Sequence, residues 1–278
     1  GVDEQELLSL DWLDLKTELF LNLAYFAYLI ADYPTALSAS QAAAKLAIHL
    51  KNSTNETRSY LVWGSALWHR GRHKIAHILF VQALTQARTN SDAHHEAQSL
   101  QFLGNIYRQR GRHVIAREHY KEALAIFRAE GSQQDEAQCL SQLGYITSSR
   151  GDYATAQNYL KRASKIYQYG SDRHLEQEPL RFLGLMEQNL GLYQEAQAYF
   201  QQVANTAQEF GNRHILALAL ADLGLNTLYL NNGDIAETHC RDALAIARDI
   251  KDRYSEGYSL ARLGRILAHN NDLREAAE

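Results

Sequence analysis

Apolar and small residues return along this chain with a period of 40. Leu-Gly pairs stand at 103–104, 143–144, 183–184, 223–224 and 263–264, and Trp63-Gly64 and Leu23-Ala24 hold the same place. An alanine column follows at 36, 76, 116, 156, 196, 236 and 276, and a second small column at 43, 83, 123, 163, 203 and 243, where Val203 is the one larger member. Between them runs a bulky column, Phe80, Tyr120, Leu160 and Phe200, with Ser40 and Cys240 as its weaker members. Within one unit, Leu100, Leu103, Gly104 and Tyr107 follow the i, i+3, i+4, i+7 spacing of a helix face, and so do Ala116, Tyr120, Ala123 and Phe127. Each unit therefore predicts two amphipathic helices, A and B. Helix A falls near 14–30, 54–70, 94–110, 134–150, 174–190, 214–230 and 254–270; helix B falls near 34–48, 74–88, 114–129, 154–168, 194–209 and 234–249.

The glycines divide into two kinds. Gly71, Gly111, Gly151 and Gly191 follow helix A, where a left-handed residue closes the helix. Gly104 and its equivalents lie inside helix A, where glycine costs about 1 kcal/mol against alanine. That cost is intelligible if helix B must approach closely, as the alanine columns also suggest. Residues 3–10, with Glu4, Glu6, Leu7 and Leu8, predict a short capping helix within an N-terminal segment 1–13. Glu278 comes a few residues into a seventh helix B, with no polar-faced terminal unit after it, so a piece of a longer protein is expected.

The pattern bulky-x-x-Leu-Gly-x-x-Tyr, then Gly-x-Tyr-x-x-Ala, then aromatic-x-x-Ala resembles the tetratricopeptide repeat. It covers residues 1–278 as a single array, with repeats starting near 17, 57, 97, 137, 177, 217 and 257, the last truncated. The usual unit is 34 residues. The surplus of this 40-residue form is expected after helix B, in 131–135, 170–174 and 211–215. Long units of this kind resemble the arrays of AfsR-type and maltose-regulator-type transcription factors, of signal-transducing ATPases, and of LGN/Pins scaffolds. The resemblance implies an all-α, right-handed superhelical solenoid of antiparallel helix pairs, with the A helices on its concave face.

It also implies which positions face inward: the second, fifth, ninth and twelfth of each unit. These give Tyr25, Arg58, Trp68, Gln98, Gln101, Asn105, Arg108, Tyr145, Arg181 and Gln188 as groove residues. Amides pair with a peptide backbone through donor and acceptor together, and arginine grips a carboxylate with two bonds. Asn105 stands where this family often places a backbone-binding asparagine, but the lysine–asparagine carboxylate clamp of chaperone-binding members is not reproduced. Leu218, Leu225 and Leu228 form an apolar stripe for the missing units or for a second protomer. Arg70, Arg72, Arg110, Arg112 and Arg150 predict a basic edge at the A–B turns, which is either solvated or a dock for an acidic group.

Composition narrows the function. Only Pro34 and Pro179 interrupt a chain rich in helix formers. The formal net charge of −4 gives no support for direct nucleic-acid binding. Cys139 and Cys240 lie in different repeats, which favours a reducing compartment, and the acidic N-terminal stretch is no signal peptide; a cytoplasmic location is expected. No apolar run nears the ~20 residues of a membrane span. His69, His73 and His77 have metal-like spacing, but Gly71 breaks the helix between them, so no metal is assigned. No phosphate loop, dinucleotide fingerprint or nucleophile elbow is present. The reading is a non-catalytic module without cofactor, binding a protein or a peptide with an acidic residue. Its parent is a larger bacterial signalling or transcription-regulatory protein. A sugar or nucleotide receptor, or a self-association module working through the C-terminal repeats, are the alternatives.

Overall fold

The computed structural model describes residues 4–170 and 173–269, the side chains of 4–9, 173 and 174 excepted. Among these residues there are thirteen α-helices and no strand. They fall into two compact units, Gly1–Glu130 and Gly131–Glu278. Unit 1 holds α1 Glu4–Leu29, α2 Tyr33–Leu50, α3 Ser53–His69, α4 His73–Thr89, α5 Ala93–Gln109 and α6 His113–Glu130. Unit 2 holds α7 Gln133–Ser148, α8 Tyr153–Tyr169, a 3-10 turn Arg173–Glu176, α9 Gln177–Asn189, α10 Tyr193–Glu209, α11 Arg213–Tyr229, α12 Gly233–Asp249 and α13 Arg253–His269. In each unit, consecutive helices pack as antiparallel hairpins, and successive A helices lie side by side.

The chain reverses by one device. A single left-handed residue stands at Ala31, Lys51, Gly71, Ser91 and Gly111 in unit 1, and at Gly131, Gly151, Gly191, Gly211, Asn231 and Lys251 in unit 2. Neighbouring positions are 20 apart, half the sequence period, except for the step of 40 from Gly151 to Gly191. At Gly71 the backbone closes as a Schellman pair, with Arg72 N–H donating to Leu67 O and Gly71 N–H to Trp68 O. The residue after the left-handed one caps the next helix: Asp32, Asn52, Asp92, Asp152 and Asn212 each accept a backbone N–H three residues on.

Two sequence expectations change as a result. The surplus residues of the 40-residue unit are not in the connections from helix B to the next helix A. Helix α7 already begins at Gln133 and α11 at Arg213, so the surplus is helical, because one left-handed residue and one cap suffice to turn the chain. Only near 170–176 is the junction longer. There Gly170 is extended, and Glu176 accepts from Ser164 Oγ at 2.5 Å and Gln168 Nε2 at 2.6 Å before α9 starts. The separate N-terminal capping helix is also absent: α1 is continuous from Glu4, so that segment is the first part of helix A. The stretch 271–276, assigned to the seventh helix B, lies outside the described residues.

The interior glycines behave as close-approach sites. A Cβ on Gly104 would lie 2.7 Å from Tyr120 Cε1, and one on Gly184 would lie 2.7 Å from Phe200 Cε1. The bulky column is thus seated on the glycine column of its own hairpin. Around these contacts the cores grow, with Leu61, Phe80, Leu103 and Ile106 in unit 1 and Leu160, Leu183, Met186, Phe200 and Leu223 in unit 2.

At Gly111 a Cβ would meet nothing, yet φ is +72°. Gly111→Ala should therefore cost about 1 kcal/mol through backbone conformation alone. Ala31→Gly, at φ 62°, should gain a similar amount. Urea unfolding midpoints of the two variants, moving in opposite directions, check the assignment.

Candidate ligand-binding face

In unit 1 the predicted groove residues are largely engaged with their neighbours. Tyr25 is exposed on α1. Arg58 donates to both oxygens of Glu18, at 2.8 and 3.0 Å, and to Asn55 Oδ1. Trp68 Nε1 donates to Gln109 at 2.7 Å, and Gln98 to His94 at 3.0 Å. Gln101 is buried. Asn105 accepts from Tyr120 OH at 2.7 Å, so its carbonyl oxygen braces the hairpin. Arg108 is half-buried.

Unit 2 brings more together. Helices α7, α9, α11 and α13, with Tyr193 of α10, line a cavity of about 540 Å³. Tyr145 and Gln188 from the predicted set stand in its wall, beside Phe182, Leu185, Leu225, Tyr229, Tyr258, Arg262 and Arg265. Arg181 is a third predicted residue, but it acts from behind. It is 5% exposed and donates from Nε to Asp222 at 2.6 Å and from Nη2 to Tyr258 OH at 2.7 Å.

Asp222 is the centre of this network. It is fully buried and accepts from Arg181, from Tyr258 OH at 2.6 Å, and from Arg262 Nε and Nη2 at 2.9 and 2.7 Å. The Arg262 guanidinium also lies 3.7 Å from the Tyr258 ring centre and hydrogen-bonds the Tyr258 hydroxyl. Burial alone would lower the pKa of Arg181, but Asp222 outweighs it, so the group is held firmly charged. Burial pushes the Tyr258 hydroxyl well above its ordinary value, keeping it a protonated donor to Asp222. Two guanidinium groups around one carboxylate leave a net positive charge in a low-dielectric place. Arg265 adds a third cation on the same face of α13 and donates to Tyr229 OH at 2.6 Å.

Asp222 and Arg262 were not among the sequence-predicted residues. A signal was there: both sit in the sixth position of their repeats, where earlier repeats carry Asn22, Val62, Phe102, Gln142 and Phe182. Opposite charges one period apart in an otherwise mostly apolar column are neighbours by construction. Glu18 and Arg58 in unit 1 are likewise opposite charges one period apart, in a mostly polar column.

Two other predicted features are relocated. Leu218, Leu225 and Leu228 are 3, 3 and 6% exposed, so the stripe read as a self-association face is spent inside unit 2. Helix α11 is flanked by α9, α10, α12 and α13, and both its faces are used. The basic residues Arg70, Arg72, Arg110, Arg112 and Arg150 are all exposed at A–B turns, four in unit 1 and Arg150 in unit 2. Three histidines of unit 1 have packing partners. His69 stacks on Tyr33 at 4.8 Å, His77 meets Tyr107 OH at 3.3 Å, and His119 stacks on the Tyr107 ring at 5.3 Å.

Burial, with Arg110 beside them, lowers the pKa of His73 and His77, the latter also facing His119. Burial and Arg88 lower that of His119 more than Glu122 raises it. A histidine depressed in the folded state contributes stability that is complete above its unfolded value, about 6.5, and is lost as pH falls through the folded value. The unfolding midpoint should fall between about pH 7 and about pH 5, and a His77→Gln/His119→Gln variant should show a shallower fall over the same titration.

Cys240 lies under this face. Burial pushes its thiol up to about 12, so it stays protonated and unreactive. Among the described residues no helix is long and apolar enough to cross a membrane.

Residues 95–168 match the family model of the tetratricopeptide repeat. The chain carries tetratricopeptide repeats. No curated protein matches its sequence significantly. Solved structures of similar fold include NprR in complex with its cognate peptide NprX, at 16% identity and TM-score 0.70, covering 94% of this chain and 74% of that one. A Rap protein complexed with competence and sporulation factor aligns at 15% identity and TM-score 0.68, covering 94% and 73%. A signal-transduction ATPase with a tetratricopeptide repeat sensor, from Pyrococcus horikoshii, aligns at 18% identity and TM-score 0.57, covering 99% and 44%. At these identities the likeness is one of fold: stacked tetratricopeptide hairpins.

Proposed function

We propose that this chain is a non-catalytic binding module that receives a peptide carrying an acidic residue on the A-helix face of its repeats. The observation that carries the reading is the unit 2 cavity. Its wall combines aromatic rings, two side-chain amides and two arginines, and among the described residues no carboxylate, cysteine or histidine lines it. Such a wall can hold a ligand but offers no general base or nucleophile of ordinary reactivity. The peptide complexes of NprR and of the Rap protein support the ligand class, since each of those folds holds a peptide in the structure named. The repeat sensor of the signal-transduction ATPase supports a place in a larger cytoplasmic regulatory protein, where ligand binding is relayed to an effector.

The test is a synthetic heptapeptide library selected on the immobilised chain, followed by calorimetry of the selected peptides. Tyr229→Ala, a change at a half-buried wall residue, should weaken the selected peptides about 10-fold, as removal of an aromatic contact at a binding hot spot does. Peptides that bind with unchanged affinity to Tyr229→Ala and Tyr145→Ala would place the ligand elsewhere. A library that yields no binder would end the reading.

A further inference from the structure

The geometry points to an anion-and-ring subsite in unit 2: we infer that the cavity takes a carboxylate standing next to an aromatic side chain, the carboxylate held by Arg262 and Arg265 and the ring by the surrounding tyrosines and Phe182. This rests on the peptide-binding reading and specifies what part of a peptide the cavity selects.

Charge is the first argument. The charged side chains lining the cavity are Arg262 and Arg265. Among the described residues the carboxylate bonded to Arg262 is Asp222, which is fully buried behind it and already bonded by Arg181 as well. Two guanidinium groups therefore share one aspartate, Arg265 adds a third cation on the cavity wall, and the excess positive charge lies on the cavity side. An anionic group entering there meets a field that water screens poorly.

Donor supply is the second. Arg262 spends Nε and Nη2 on Asp222 and Tyr258, and Nη1 is not spent on either. Arg265 donates one Nη2 hydrogen bond to Tyr229 and carries further N–H groups in a fixed fork. The two residues are three apart on α13, so both present to one face. A carboxylate has acceptor sites for both forks.

Preorganisation is the third. Asp222 bonds Arg262 along its Nε–Nη2 edge while Tyr258 stacks beneath the guanidinium plane. The cation is fixed before the ligand arrives, which removes part of the ordering cost of binding. Asp222 is a positioning residue here, acting through Arg262. The ring half of the subsite is equally built: Tyr145 and Phe182 lie 4.9 Å apart, and Tyr193 and Tyr229 5.0 Å apart. Aromatic walls of this kind favour a planar apolar side chain. This arrangement differs from the lysine–asparagine clamp in residue types, with Arg265 standing at the repeat position that Asn105 holds in the third repeat.

The probe set is three short peptides measured by calorimetry on the full chain: N-acetyl-Ala-Ala-Phe with a free carboxylate, the same peptide as its C-terminal amide, and N-acetyl-Ala-Asp-Phe-amide. The free acid should bind at least about 10-fold tighter than the amide, and raising the salt concentration should weaken the acid selectively. Arg265→Gln, a change at an exposed residue, should erase the difference, and Arg265→Lys should retain part of it. Binding of the Asp-Phe amide in place of the free acid would assign the subsite to a side-chain carboxylate, with the same chemistry. Equal binding of acid and amide overturns the subsite and leaves the peptide reading standing. So does failure of all three probes while library-selected peptides without an acidic residue still bind. Failure of every peptide removes both.

Discussion

Gly224→Ala should destabilise unit 2 by about 3 kcal/mol, the upper part of the range for an overpacked core position, even though alanine is the better helix former by about 1 kcal/mol. An added Cβ would lie 2.8 Å from the backbone oxygen of Ala236 and 3.3 Å from the backbone nitrogen of Cys240, besides meeting the Cys240 thiol. At Gly104 the obstacle is the Tyr120 ring, which can tilt. At Gly224 it is the backbone of α12, so relief requires moving the whole helix away from α11. That movement would loosen Ala236, Cys240 and Leu244 from Leu225 and Leu228 in one core. Gly257→Ala is the matched control. It too is a helical glycine, in α13, and a Cβ there meets nothing within 4 Å. Its exposed site should gain about 1 kcal/mol from propensity alone. Urea unfolding of the two variants separates the readings. Two changes of equal sign would mean that α11 and α12 are not in backbone contact at this column.

The period of 40 made the hairpins legible because each column answers to one physical demand. Glycine at 104, 144, 184 and 224 admits the facing helix, and the residue at 71, 111, 151 and 191 turns the chain. The half-period of 20 was less visible, because Ala31, Lys51, Ser91 and Asn231 take left-handed backbone with side chains that give no such sign. That is why the sequence alone places the surplus residues in loops. Facing was the harder matter. Leu218, Leu225 and Leu228 look alike in sequence whether they meet solvent, a partner or a neighbouring helix, and only the placement of α9, α12 and α13 around α11 decides it. For the site, position rules drawn from a resemblance found Tyr145, Arg181 and Gln188 but passed over the sixth column, where Asp222 and Arg262 sit. Those two were readable in a different way, as opposite charges one repeat apart in a column otherwise mostly apolar.

Asp222→Ala should cost 3–5 kcal/mol by the usual penalty for breaking a buried ion pair on one side, and it should abolish any preference for an anionic ligand in the same step. Removing this carboxylate leaves Arg181, 5% exposed, and Arg262 facing each other across Tyr258 with no counter-charge. Three A helices are joined through Asp222: α9 by Arg181, α11 by the aspartate itself and α13 by Tyr258 and Arg262. The expected loss is therefore shared by neighbouring repeats, and hydrogen exchange should speed in α9, α11 and α13 together. The discriminating partner is the variant Arg181→Met/Asp222→Leu/Arg262→Met. With every charge of the network replaced by an apolar group of similar size, stability should return to near the starting value or above it. Stability and recognition then come apart. If the network exists to hold the fold, the apolar variant keeps whatever binding the chain has. If it exists to fix Arg262 for a ligand carboxylate, the apolar variant is stable and fails to distinguish the free acid of N-acetyl-Ala-Ala-Phe from its amide. The second outcome is expected, because two desolvated cations around one aspartate are a costly way to join helices that apolar side chains would join as well. Recovery of stability with retained selectivity would show that Arg265 alone supplies the anion contact.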